Sequence, residues 1–284
     1  MNDKLKLVGE SKVHRLLNGR TRKDDLEASG VFVLDESTCY VIFDNLNQVA
    51  KIDTSLKAET ANELIDAPSP GTGFEDITFD FAKRRFYLLI EAMKDVSGDF
   101  RGRVAEYDED FTFQRCSWLE KVFDGDNKGF EGLAHVRHGG KEYLWALCEG
   151  NLCTSDEKGG GQIEAFERTG KGKWVPSYKV ALPKTAEFKD YSALAVSGDR
   201  VALVSQKSLR FWHGKLDGSG RAFPDDAGAV FRFPKRKKYC NVEGVSWLAD
   251  DRVIAVSDRR KKNGQGKGCA EKDQSIHVFK IPSP

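Results

Sequence analysis

What this chain lacks narrows it before anything else does. No apolar run approaches the roughly 18 residues that a membrane-spanning helix needs, so no such helix is expected. The first residues, Met1-Asn2-Asp3-Lys4-Leu5-Lys6, lack the apolar core of a signal peptide. The expectation is a soluble, cytoplasmic protein, exported only if a targeting segment was removed. Excess charge is missing too: 45 Lys and Arg face 44 Asp and Glu, a net +1. No global field therefore draws nucleic acid or an anionic membrane, and neither is expected as a partner. The basic runs Lys235-Arg236-Lys237-Lys238 and Arg259-Arg260-Lys261-Lys262 each stand beside an expected strand and read as solvated loops.

Cysteine is sparse and scattered: Cys39, Cys116, Cys148, Cys153, Cys240 and Cys269. No second Cys pair or suitable His pair follows Cys148 and Cys153, which excludes a zinc motif of the usual spacing. Most of the six lie in or beside apolar segments, where a free thiol packs as a small hydrophobe; reduced structural thiols are expected. The run Gly159-Gly160-Gly161 lacks the Lys-Ser/Thr of a phosphate loop. Ser29, in Ala28-Ser29-Gly30, is no nucleophile elbow, and His135, His138 and His277 read as structural or surface residues. Helical periodicity of useful length is absent as well, which disfavours a TIM barrel or a Rossmann fold.

What is present is a unit written five times. A short apolar strand opens on Ser or Glu; a turn follows; a second, wholly apolar strand ends on a polar residue. The openings are Ser29-Gly30-Val31, Glu75-Asp76-Ile77, Glu131-Gly132-Leu133, Ser192-Ala193-Leu194 and Glu243-Gly244-Val245, 46 to 61 residues apart. Such a period suits propeller blades and is too long for leucine-rich or ankyrin repeats. Hydrophobic content of 39% and charged content of 31% suit a globular chain with a real core. The fold class expected is all-β: one domain over residues 1–284, a single five-bladed β-propeller of four-stranded blades, with six blades as the alternative. The last repeat leaves no sequence after Ser275–Ile281 for a fourth strand. The segment Lys4–Val13 is expected to supply it, closing the ring and hiding the sheet edges.

In a propeller the first strand of each blade lines the central channel, so Ser29, Glu75, Glu131, Ser192 and Glu243 form a ring. Three carboxylates in a narrow channel repel one another unless protons or a cation relieve them. No Cys or His joins the set, so a hard, oxygen-liganded cation, Ca²⁺ first, is the expected cofactor. The alternative is that the glutamates accept hydrogen bonds from neighbouring backbone amides. A second ring closes the second strands: Asp44, Glu91, Glu149, Gln206 and Asp258, with Arg259 beside the last. It would furnish the channel mouth as a ligand site for a small molecule or protein on a monomeric chain. Carboxylates beside a cation can also activate water, so a calcium-dependent hydrolase of phosphoesters, phosphoanhydrides or lactones is the alternative to a binding module.

The ordered openings, with Asn127-Lys128-Gly129-Phe130-Glu131-Gly132-Leu133-Ala134 the most specific, resemble the SdiA-regulated (YjiK-like) propeller family over residues 29 to 258. That resemblance implies a five-bladed propeller. The order Ser, Glu, Glu, Ser, Glu is also similar to that of the calcium-activated nucleotidases, or apyrases. It implies that Ser29, Glu75, Glu131, Ser192 and Glu243 hold a structural calcium. Two departures stand out. Tyr191-Ser192-Ala193 replaces the Leu-Ser-Gly usual in the first family, and the nucleotidases' catalytic loops match no residues here.

Overall fold

An unbroken apolar run in a short strand needs cover on both faces. The runs Cys39–Phe43, Phe86–Ile90, Tyr143–Cys148, Val201–Val204 and Val253–Val256 are all buried. Each is the second strand of a sheet that lies between two neighbouring sheets. The computed structural model describes residues 3–71, 73–125, 129–154, 159–261 and 263–282, and for Glu91 and Arg236 the backbone alone. Asn127 and Lys128 of the third motif, Lys262 of the second basic run and the Glu91 side chain lie outside that description.

After β1 (Lys6–Lys12), the first unit is β2 (Ala28–Val33), β3 (Thr38–Phe43), β4 (Leu46–Asp53) and β5 (Glu63–Asp66). The second is β6 (Phe74–Asp80), β7 (Arg85–Lys94), β8 (Phe100–Tyr107) and β9 (Phe113–Phe123). The third is β10 (Phe130–His138), β11 (Lys141–Cys148), β12 (Gln162–Arg168) and β13 (Trp174–Ala181). The fourth is β14 (Ala193–Ser197), β15 (Arg200–Ser205), β16 (Arg210–Lys215) and β17 (Ala229–Arg232). The fifth is β18 (Val242–Ala249), β19 (Arg252–Ser257) and β20 (Ser275–Lys280), and it takes β1 as its outer strand. Lys6 stands opposite Lys280 and Lys12 opposite Ser275, the closure expected from the missing last strand. Within each unit the strands are antiparallel; the second and third units also touch through one parallel pair, Trp174 with Leu119.

The first strands β2, β6, β10, β14 and β18 neighbour one another in a ring, with β18 returning to β2. Five apolar clusters fill the seams between successive units. The seam that closes the ring joins Val31 and Val41 to Ile254 and Val278, with Val13 and Leu16 packed over it. This is a β-propeller. Residues 56–62 form turns and lead into the short outer strand β5.

The cysteines correct the expectation of reduced thiols. Cys148 is bonded to Cys153 and Cys240 to Cys269, with Cα separations of 5.1 and 5.5 Å, within ordinary disulfide reach. Cys39 and Cys116 are free thiols. The first bond forms because a 3₁₀ turn, Asn151–Cys153, folds back on the end of β11. The second forms because the turn Lys267–Glu271 packs on the turn Arg236–Lys238. A separation of 29 residues left no trace of that pairing in the linear sequence.

Candidate functional site

In four of the five first strands the ladder slips at the opening, and β18 slips again between Trp247 and Ala249. The opening breaks fall between Ala28 and Gly30, Phe74 and Ile77, Phe130 and Gly132, and Val242 and Gly244. The residues left out of register there are Ser29, Glu75 with Asp76, Glu131 and Glu243. A bulge bends its strand and re-aims a side chain, which is why these positions serve a channel. In the fourth unit Ser192 stands just before β14, its N–H donating to the Val204 carbonyl at 2.9 Å.

The residue after each bulge faces the next unit at close range. A Cβ built on Gly244 would lie 2.8 Å from Gly30 Cα, and one on Gly30 would lie 2.8 Å from Asp76 Cα. Only a missing side chain permits that approach. Where the second unit has Asp76 instead, its fully enclosed carboxylate becomes a clamp. Oδ2 accepts from the Leu133 N–H at 2.7 Å across the seam, and Oδ1 from the Ile77 N–H at 2.8 Å. Burial pushes this carboxyl well up from its ordinary value, against the pull of those two amides. The serines act similarly. Ser29 Oγ donates to the Phe74 carbonyl and Ser192 Oγ to the Val242 carbonyl at 3.0 Å, each the residue before a ring glutamate in the next unit. Their lone pairs stay available, but the hydroxyl protons join neighbouring units.

Glu75, Glu131, Ser192 and Glu243 open into one cavity of about 630 Å³; Ser29 is not among its lining residues. Of the second ring, Asp44, Glu149, Gln206 and Asp258 line the same cavity, as does Arg259. Backbone geometry explains why both rings meet. Each of Asp44, Glu149, Gln206 and Asp258 is the first residue beyond a second strand. The N–H groups of Asp44, Glu149 and Asp258 donate to the carbonyls of Glu27, Gly129 and Asn241, at the start of the adjoining first strand. In the second unit β7 runs on through position 91, so Glu91 sits within a strand rather than beyond it.

Sequence reasoning missed Asp25, Glu27, Asp190, Arg260 and Lys261, which also line the cavity. They come from loops with no shared motif, so no periodic signal marked them. In the second basic run Arg259, Arg260 and Lys261 form a loop, as expected, with Arg259 and Arg260 partly buried and Lys261 exposed, and because β19 ends at the mouth all three line it. Arg259 forks between Asp25 Oδ2 at 2.6 Å and Glu27 Oε1 at 2.8 Å. Gln206 Nε2 donates to Glu243 Oε1 at 2.6 Å. Asp190 accepts from Ser205 Oγ at 2.5 Å and from the Lys207 N–H at 3.0 Å.

Nine carboxylates thus face three cations around the cavity. Burial raises the carboxyls of Asp44 and Asp190. Burial and then the Asp258 charge hold Glu243 well above its usual range, while Asp258 is pushed up to about 7, chiefly by burial. Burial would depress Lys261, but Glu243, Asp258, Glu131 and Asp44 together outweigh it and hold the ammonium protonated. These signs predict a pH effect. A carboxyl raised in the fold binds its proton more tightly there than in the unfolded chain, so its ionisation costs stability as pH climbs from about 4 to 7. In chelator, Asp258→Asn should therefore gain on the wild type from pH 5 to pH 7 and gain no further above that. Urea midpoints at four pH values would show it; a gap that does not change with pH would refute the assignment.

Among the described residues, only Asp80, His135 and Glu142 bring three ligand atoms within 4.8 Å of one another. No three of the described channel carboxylates bring their oxygens that close together.

No family model matches the chain, and no curated protein matches it. Solved structures do. Glutaminyl cyclase from Myxococcus xanthus is similar over 100% of both chains at 9% identity, with a TM-score of 0.57. A luciferin-regenerating enzyme matches 97% of this chain and 95% of its own, at 10% identity and a TM-score of 0.53. The allergen Mala s 1 of Malassezia sympodialis matches 90% and 78% at 10% identity, with a TM-score of 0.50. At such identities the likeness is one of fold alone.

Proposed function

We propose that this chain is a five-bladed propeller of the SdiA-regulated type that binds a hard divalent cation, calcium first, in its channel. On this reading the ion is shared through water by Glu75, Glu131, Glu243 and Ser192, and the mouth presents it to a small ligand. The observation that carries the proposal is the excess of carboxylates around one cavity, where burial first and neighbouring negative charge after it favour the protonated forms of Glu243 and Asp258. A dication would release those protons and relieve the repulsion. Oxygen-only donors suit calcium over zinc. The two disulfides favour an oxidising compartment over the cytoplasm expected at first.

A hydrolytic role is the second reading, favoured by Asp258. Once the ion has released its proton, the Asp258 carboxylate at the mouth can take a proton from water and return it. Both readings require the ion, so one experiment precedes both. Thermal melts of the wild type and Glu131→Gln would be compared in calcium and in EGTA, with metal analysis of the same samples. The wild type should be stabilised by about 2.7 kcal/mol at a hundredfold excess over the dissociation constant, and the variant far less. A metal-free wild type whose melt ignores calcium would sink the proposal.

A further inference from the structure

We propose that Asp80, His135 and Glu142 form a second, separate metal site that takes a borderline transition-metal dication, zinc before others. It lies at the end of the second–third seam away from the mouth. Asp80 is five residues down β6 from Glu75, roughly 17 Å at strand rise. The three side chains come from β6, β10 and β11, so the site does not depend on the channel reading.

Two independent observations point to an ion. His135 Nε2 is enclosed, its side chain only 6% exposed, and is left without a hydrogen bond of ordinary geometry. It faces Glu142 Oε1 at 3.4 Å and Asp80 Oδ2 at 3.7 Å. A tetrahedral ion with ligands about 2.1 Å away places neighbouring donor atoms about 3.4 Å apart. The octahedral geometry of magnesium, with similar bond lengths, needs about 3.0 Å. The two distances from His135 Nε2 fit the tetrahedral case better, with one position left open.

The groups behind these ligands also suit the assignment. Arg137 Nη2 donates to Asp80 Oδ2 at 3.0 Å and Arg168 Nη1 to Glu142 Oε1 at 3.3 Å, while Lys83 pairs with Glu142 Oε2. Such outer partners orient metal-binding carboxylates. They also supply positive charge, which works against a weakly held, purely electrostatic ion such as calcium. An imidazole in the set selects instead for metals that bind nitrogen strongly. A bound ion would tie three strands of two neighbouring units together.

The test is calorimetric titration with Zn²⁺ under saturating Ca²⁺, which keeps the channel occupied. Wild type and Glu131→Gln should each take up one zinc per chain. His135→Ala and Glu142→Gln should bind at least about tenfold more weakly, ligand loss costing no less than loss of an outer partner. The Co²⁺ form of the wild type should show the strong visible bands of a tetrahedral site, a readout independent of whether the variants fold. Absence of zinc uptake and of those bands in the wild type, or undiminished binding by a folded His135→Ala, would overturn the proposal.

Discussion

Gly132→Ala lowers the stability of this chain by about 2–3 kcal/mol, the upper part of the usual range for overpacking. The added Cβ would stand 2.6 Å from Leu194 Cβ and 2.8 Å from the Leu194 backbone nitrogen, and 3.1 Å from Leu147 Cβ. No flexible side-chain end is there to give way. Relief requires β10 and β14, first strands of adjoining units, to move apart. The same motion would displace Glu131, one residue earlier, and Ser192, two residues before Leu194. On the proposed calcium reading, affinity for the ion should fall together with stability. Gly170→Ala is the control, since nothing lies within 4 Å of its would-be Cβ. Equal urea midpoints for the two variants would show that the close approach of the first strands is not needed.

The paired change Cys240→Ser, Cys269→Ser costs about 3.5 kcal/mol in the chain-entropy account of a loop of this length. In a chain this long that is a fall of roughly 7 °C in the melting temperature. The bond has a local consequence as well. It anchors the long connection between β19 and β20, which delivers Arg259, Arg260 and Lys261 to the cavity. The same connection is tied to the fifth first strand through Gln265, whose amide donates to Asn241 Oδ1, two residues before Glu243. The wild type under strong reductant, which opens Cys148–Cys153 as well, should melt no higher than the oxidised variant. If reduction and substitution both leave the melt unchanged, the crosslink contributes nothing to the fold.

Part of the site was legible because a propeller repeats its geometry. A bulged residue followed by glycine recurs in three of the five first strands, where the strand bends toward the channel and touches its neighbour closely. Ser29-Gly30, Glu131-Gly132 and Glu243-Gly244 therefore share a local signature. The alternation of apolar second strands with polar residues just beyond them exposed Asp44, Glu149, Gln206 and Asp258 for the same reason. The fifth unit has three strands of its own, and β1 pairs with β20 as its fourth. The shared signatures are consequences of local backbone form, which the order of residues carries directly.

What the chain order left silent depends on which loops meet. Asp25, Glu27, Asp190 and Lys261 share no spacing, and only closure of the ring gathers them around one cavity. Cys240 finds Cys269 because two short turns pack together, and Asp80 meets His135 and Glu142 only across a seam. The amino-acid order by itself determined the repeat, the strands and the acidic character of the channel, since each rests on contacts within a strand or hairpin. The tertiary structure alone decided the charge balance of the mouth, the disulfide pairing and the buried His-carboxylate cluster, because each is a sum over groups brought together from separate units.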